Sequence, residues 1–167
     1  MTTRIANNRK RPAGEQLRLE HFVPYRLAVL SNVVSTSIAS AYEREFGLTM
    51  PQWRVLAVLA RYPSSSAVEV GERSAMDKVA VSRAVQSLVD AGRVVRTFDA
   101  GDRRRLVLNL SPAGRAVYTR VAPLALRYER QLLAALSPAE RRTLDRLIER
   151  LLDRARALAG NGTWKRR

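Results

Sequence analysis

Between residues 77 and 110 the chain reads DKVAVSRAVQSLVDAGRVVRTFDAGDRRRLVLNL, and the side chains there that can do chemistry are mainly hydrogen-bond donors rather than nucleophiles or metal ligands. Arg83 carries a planar fork that matches guanine O6 and N7, and Gln86 carries an amide that pairs bidentately with adenine. Ser82 can meet several base edges, and Val79 can touch a thymine methyl. These four share the side of a helix opposite Val81, Val85, Leu88 and Val89, which recur at helical spacing. Lys78 stands at the start of that helix, where it suits a phosphate. Asp77 is its N-cap, and Gly92 ends it. Val94, Val95 and Phe98 then face Leu106, Val107, Leu108 and Leu110 across DAGDRRR, a turn with three consecutive arginines. A helix of this kind fits the major groove of B-DNA, and the arginines can reach the narrower groove beside it. By itself the pattern also describes a surface helix and a hairpin with a solvated charge run, so the elements around it bear on the choice.

Those elements are helices with clear starts. Thr49-Met50-Pro51-Gln52 and Ser66-Ala67-Val68-Glu69 are capping boxes, in which hydroxyl and N3 side chain each satisfy the other's backbone N–H. The first opens WRVLAVLARY and the second opens the short VEVGERSA, which turns at Met76-Asp77 into the helix above. Two short helices joined tightly form a helix-turn-helix pattern. Ser66 also brings helix N-terminal N–H groups to where a phosphate can sit. Before this unit, residues 15 to 46 have helical periodicity, with Pro24 marking a start or a kink and Gly47 a stop. After it, Ser111-Pro112 opens a long helix to about Leu136, which Pro123 should bend. Ser137-Pro138-Ala139-Glu140 is a third capping box, opening a last helix with Leu144, Leu147, Ile148, Leu151, Leu152 and Leu158. The apolar stripes of both end regions are wide for one small domain to cover, which predicts pairing with a second copy. A symmetric dimer would space two reading heads about one DNA turn, roughly 34 Å, apart.

The composition agrees. The 167 residues carry a formal net charge of +15, and only three of thirty basic residues are lysine. That excess favours a polyanionic partner, nucleic acid before an anionic membrane. Part of the arginine bias can reflect genomic base composition. The chain has no cysteine and one histidine, which excludes disulfides, thiolate metal sites and most nucleophile constellations. There is no phosphate-binding glycine loop and no nucleophile elbow. Asp99 and Asp102 are near each other, but among arginines that keep both ionised, which is wrong for an acid–base pair. No enzyme activity, cofactor, metal or membrane partner is expected, and the location expected is the cytoplasm. Residues 1 to 14 form a basic arm without the apolar segment of a secretory signal, and 161 to 167 a basic tail.

In order, the chain is a long helix, a capped helix, a short helix, a reading helix, an arginine-tipped wing and two long helices. This resembles the multiple antibiotic resistance regulator (MarR) family of winged helix-turn-helix repressors. LTMPQWRVLAVLARYP, DKVAVSRAVQSLVDAGRVVR and DAGDRRRLVLNLSPAGR carry the resemblance, which covers roughly residues 20 to 158. The wing pattern D-x-R followed by L-[ST]-x-x-G-R is fairly specific. It implies a mainly α fold with a small β wing: a winged helix-turn-helix domain at 47–110, flanked by dimerisation helices at 15–46 and 111–160. It further implies a homodimer on a pseudo-palindromic operator, usually a repressor that a small effector releases. In the family the wing arginine enters the minor groove and the wing aspartate positions it; these roles fall on Arg104 and Asp102. Arg103 and Arg105 become phosphate contacts. The tip is shorter than in many members and lacks their proline, so wing reach is less fixed than the wing itself.

Family ligands sit in a crevice between the dimer helices and the DNA-binding lobe. Here His21, Tyr25, Arg26 and Trp53 are the candidate effector residues, since aromatic rings with an arginine suit an aromatic carboxylate or its coenzyme A thioester. The segment HFVPYRLAVLSNVVS also resembles a branch associated with aromatic-acid catabolism. Two other functions remain open at this point: an architectural protein that binds DNA of any sequence, and an activator of the same family.

Overall fold

A computed structural model describes residues 16–99 and 101–161. The basic arm at 1–14 and residues 162–167 of the basic tail lie outside the described residues. A 3-10 turn at Leu19–His21 leads into α1 (Val23–Phe46), followed by α2 (Met50–Arg61), α3 (Ala67–Ser74) and α4 (Lys78–Asp90). Strands β1 (Val94–Phe98) and β2 (Leu106–Leu110) form an antiparallel hairpin, and α5 (Pro112–Leu133) and α6 (Pro138–Asn161) complete the order. The α3–α4 pair with the hairpin beside it is a winged helix-turn-helix.

The caps act as their residue types require. Thr49 and Ser66 each complete a capping box, Asp77 accepts from the Ala80 N–H, and Ser111 accepts from the Gly114 N–H. Ser137 and Glu140 make the same reciprocal bonds before α6. Pro24 sits in the first turn of α1, where its missing N–H is harmless; it marks a start. The α5 helix runs through Pro123 but ends at Leu133, a turn short of the expected Leu136, where Leu136 N–H bonds to Leu133 carbonyl instead.

One core joins the long helices to the reading unit. Tyr42, Phe46 and Leu48 pack with Val55, Leu56 and Leu59 of α2, Val70 of α3, Val81, Val85 and Leu88 of α4, Leu108 of β2 and Val121 of α5. Burial raises the pKa of the Tyr42 phenol. Away from this core the apolar stripes are uncovered. Val23, Leu27, Leu30 and Val33 on α1 are exposed, and so are Leu147, Ile148, Leu151 and Leu152 on α6.

A close approach explains the glycine of the L-S-P-A-G-R turn. A Cβ on Gly114 would lie 1.9 Å from the Arg93 carbonyl oxygen. That carbonyl accepts the Ser111 N–H at 3.1 Å, and the Ser111 hydroxyl donates to Gly92 carbonyl at 2.6 Å. The first turn of α5 is thereby stitched to the base of the wing.

Candidate nucleic-acid interface

Helix α4 presents its outer face because its inner face is taken. Val81, Ala84, Val85 and Leu88 are buried, which leaves Val79, Ser82, Arg83 and Gln86 exposed. The apolar Val79 is 58% exposed on that face. Beside the shared core, Gln52 ties α2 to α4: its carboxamide accepts the Thr49 N–H at 2.8 Å and donates to the Ser87 hydroxyl at 2.7 Å. Lys78 is exposed at the first position of α4.

The wing is held on three sides. Leu108 N–H donates to Ser65 carbonyl at 2.8 Å, and Ser64 N–H donates to the Asn109 side chain at 2.8 Å. The α2–α3 connection therefore pairs with β2 almost as a third strand. At the tip, Asp99 accepts from the N–H groups of Gly101 and Asp102, and Asp102 accepts from the Arg104 N–H at 2.9 Å. These two side-chain turns shape the loop without the proline that many wings carry. Asp102 thus meets Arg104 through the backbone N–H rather than the guanidinium.

Arg105, expected at a phosphate, is engaged elsewhere. It ion-pairs with Glu69 of the α3 capping box and lies 3.9 Å from Asp99. The Ser66 backbone N–H and hydroxyl, and then Arg105, hold the Glu69 carboxyl down at about 2. Arg105 is therefore a strut between wing and α3. Ser66 keeps its place at the α3 N-terminus. Among the described residues, Arg83, Arg103 and Arg104 have no side-chain hydrogen bond or ion pair, so their guanidinium groups face solvent uncommitted.

Gln86 is exposed but not idle. Its Nε2 donates to Asp90 at 2.7 Å, and its Oε1 accepts from Arg96 of β1 at 2.9 Å. Sequence alone did not single out Arg96, Asp90 or Asn109, and weighed Asp99 only as half of an acid–base pair. A signal existed for two of them. Arg96 falls in the register of Val94 on the side of the hairpin that meets the helices, and Asp99 precedes a glycine where side-chain turns form.

The four candidate effector residues do not converge in one chain. Trp53 stacks on Tyr118 of α5 with centroids 5.8 Å apart and lies 5.9 Å from the Tyr42 ring. Tyr42 is 17 residues beyond Tyr25 on α1, a rise of about 25 Å along the helix. His21 lines a cleft with Gln16, Leu17, Arg18 and Phe22 at the other end, while Tyr25 and Arg26 are exposed near it. Helix geometry separates what sequence proximity and composition had grouped.

Comparison with known proteins follows the same lines. The model of the MarR family matches residues 46–105, from the end of α1 through the wing tip. An HTH-type transcriptional repressor of Mycobacterium tuberculosis is 28% identical over 131 residues, covering 78% of this chain and 91% of the relative. The structure of a MarR/EmrR family transcriptional regulator from Acinetobacter sp. ADP1 superposes with a TM-score of 0.79 at 26% identity, over 84% of this chain and 99% of that one. BpsR of Bordetella bronchiseptica, whose DNA binding is regulated by 6-hydroxynicotinic acid, gives 0.72 at 25% identity, over 83% and 98%.

Proposed function

The chain belongs to the MarR family of transcriptional regulators, not to a family of enzymes, and from that premise we propose that it is a homodimeric repressor of a pseudo-palindromic operator, released by a small aromatic acid or its coenzyme A thioester. The observation that carries the reading is the uncommitted donor set. Val79, Ser82 and Arg83 stand on the free face of α4 while Arg103 and Arg104 stand at the wing tip, all on one apolar-backed scaffold. Arg83 forks onto a guanine in the major groove, and Arg104 enters the minor groove with Asp102 shaping the backbone behind it. Lys78 and Arg103 take phosphates, and so do the first-turn N–H groups of α3 that the Ser66–Glu69 box leaves free.

Two copies are required for two half-sites. The exposed leucine and valine stripes of α1 and α6 are what a second copy would cover. For the effector, the supporting feature is the half-buried Trp53–Tyr118 stack between α2 and α5, which joins the reading unit to the long helices. An aromatic acid inserted there would shift the two lobes. His21, Tyr25 and Arg26 contribute only if a second copy brings them near. BpsR supplies a precedent for an aromatic acid as the controlling ligand.

The test is a gel-shift salt series on the operator found upstream of the gene. Arg83→Ala should cost about 1–3 kcal/mol of discrimination at one base pair, and Arg104→Ala should weaken operator binding. Unchanged affinity of both variants at every salt concentration refutes the assignment. Isothermal titration against aromatic acids and their thioesters tests the effector.

A further inference from the structure

Gln86 is the one base-reading candidate whose side chain is already held at both ends. On one side is Asp90, a turn further along α4, which accepts from Nε2 at 2.7 Å. On the other is Arg96, which reaches across from β1 and donates to Oε1 at 2.9 Å. A carboxamide has two faces of nearly equal shape, and its neighbours decide which atom points where. Here a cation can only donate and a carboxylate can only accept, so the amide has one allowed orientation. We propose that Arg96 and Asp90 are positioning residues that fix the Gln86 amide for reading one base, so that the wing strand helps to set sequence preference at a position it does not touch. The inference rests on the base-reading role proposed for α4.

Three features favour this over an idle surface network. Each amide atom keeps one free valence, an N–H on Nε2 and a lone pair on Oε1, which is the pair that adenine N7 and N6 require. The charged partners polarise the amide and strengthen both remaining bonds. The anchor of Arg96 is also rigid. It lies opposite Leu108, whose side chain is buried and whose N–H is bonded to Ser65. An amide free to flip would accept several bases; a clamped one rejects those whose edge presents the reverse pattern.

The experiment is selection from random duplexes by the full-length protein, comparing wild type with Gln86→Ala, Arg96→Ala, Arg96→Lys, Asp90→Asn and the double variant Arg96→Ala with Asp90→Asn. Gln86→Ala should lose preference at one base pair per half-site, by about fivefold or more. Arg96→Ala leaves the amide tethered at Nε2 alone and should weaken the preference at that same base pair and nowhere else, and Arg96→Lys, which still donates, should restore it. Asp90→Asn alone leaves Arg96 donating to Oε1, which still forbids the flip, and should keep the preference; Arg96→Ala combined with Asp90→Asn frees the amide and should relax that base pair fully. Selected motifs identical to wild type in the double variant Arg96→Ala with Asp90→Asn overturn the inference. So does a uniform loss of affinity in Arg96→Ala with a salt slope reduced by about one, since that marks a phosphate contact. A wild-type protein that enriches no motif is a different failure: it removes the base-reading role of α4, and this inference with it.

Discussion

Replacing Gly114 with alanine drives a methyl group into the backbone of the wing. The added carbon would sit 1.9 Å from the Arg93 carbonyl oxygen, 2.9 Å from its carbon and 3.3 Å from its Cα. An ordinary carbon–oxygen approach is about 3.3 Å, so α5 and the base of β1 must separate by roughly 1.4 Å. No flexible side chain is available to yield, because all three atoms are backbone. The separation also pulls on the Ser111 N–H bond to Arg93 carbonyl and on the Ser111 cap of Gly114 N–H, at 3.1 and 3.0 Å. Overpacking costs about 1–3 kcal/mol, and a weakened cap adds about 1 kcal/mol. The sum, about 2–4 kcal/mol, corresponds to a fall of roughly 4–16 °C in Tm for a chain of this size. Thermal unfolding at one fixed protein concentration, followed by circular dichroism, measures it. Gly160→Ala is the control: nothing lies within 4 Å of its added carbon, and an alanine inside a helix should be neutral or stabilising by up to about 1 kcal/mol. A Gly114→Ala protein within about 0.5 kcal/mol of the parent would refute the close-approach argument.

Glu69 predicts an acid-sensitive wing. Its folded pKa lies near 2 against an ordinary 4.5, so its contribution is complete above pH 4.5 and disappears as pH falls from there towards 2. Glu69→Gln should therefore flatten the stability profile across that window in a urea titration series, and parallel profiles for the two proteins would count against the Glu69–Arg105 strut. On α6, Leu147→Asp with Leu151→Asp places two charges on the exposed apolar stripe. Light scattering should report dimers for the parent and monomers for this variant; a variant that is still dimeric would place the proposed interface elsewhere.

Much of the architecture was legible along the chain because it is written in local chemistry. A hydroxyl three residues before a glutamate or glutamine can close a capping box from local sequence alone, so Thr49, Ser66 and Ser137 announced α2, α3 and α6. The spacing of Val81, Val85 and Leu88 assigned the inner face of α4, and with it the outer face that carries Arg83. Helix periodicity is set by backbone geometry and does not wait for a partner. The resemblance to MarR regulators had the same source, since its motifs are caps, turns and a charged tip. What only the tertiary structure decided is who meets whom across elements. Arg105 looks like Arg103 and Arg104 in the run RRR, yet at the foot of β2 it meets Glu69 of α3. Trp53 lies among the candidate effector residues by type, yet about 25 Å of helix separates its partner Tyr42 from Tyr25. Gln86 was nameable as a reader of bases, but the clamp from Arg96 depends on the hairpin folding back beside α4. Such pairings arise from chain reversals, where two residues distant in sequence share a few ångströms, and no local spacing records them.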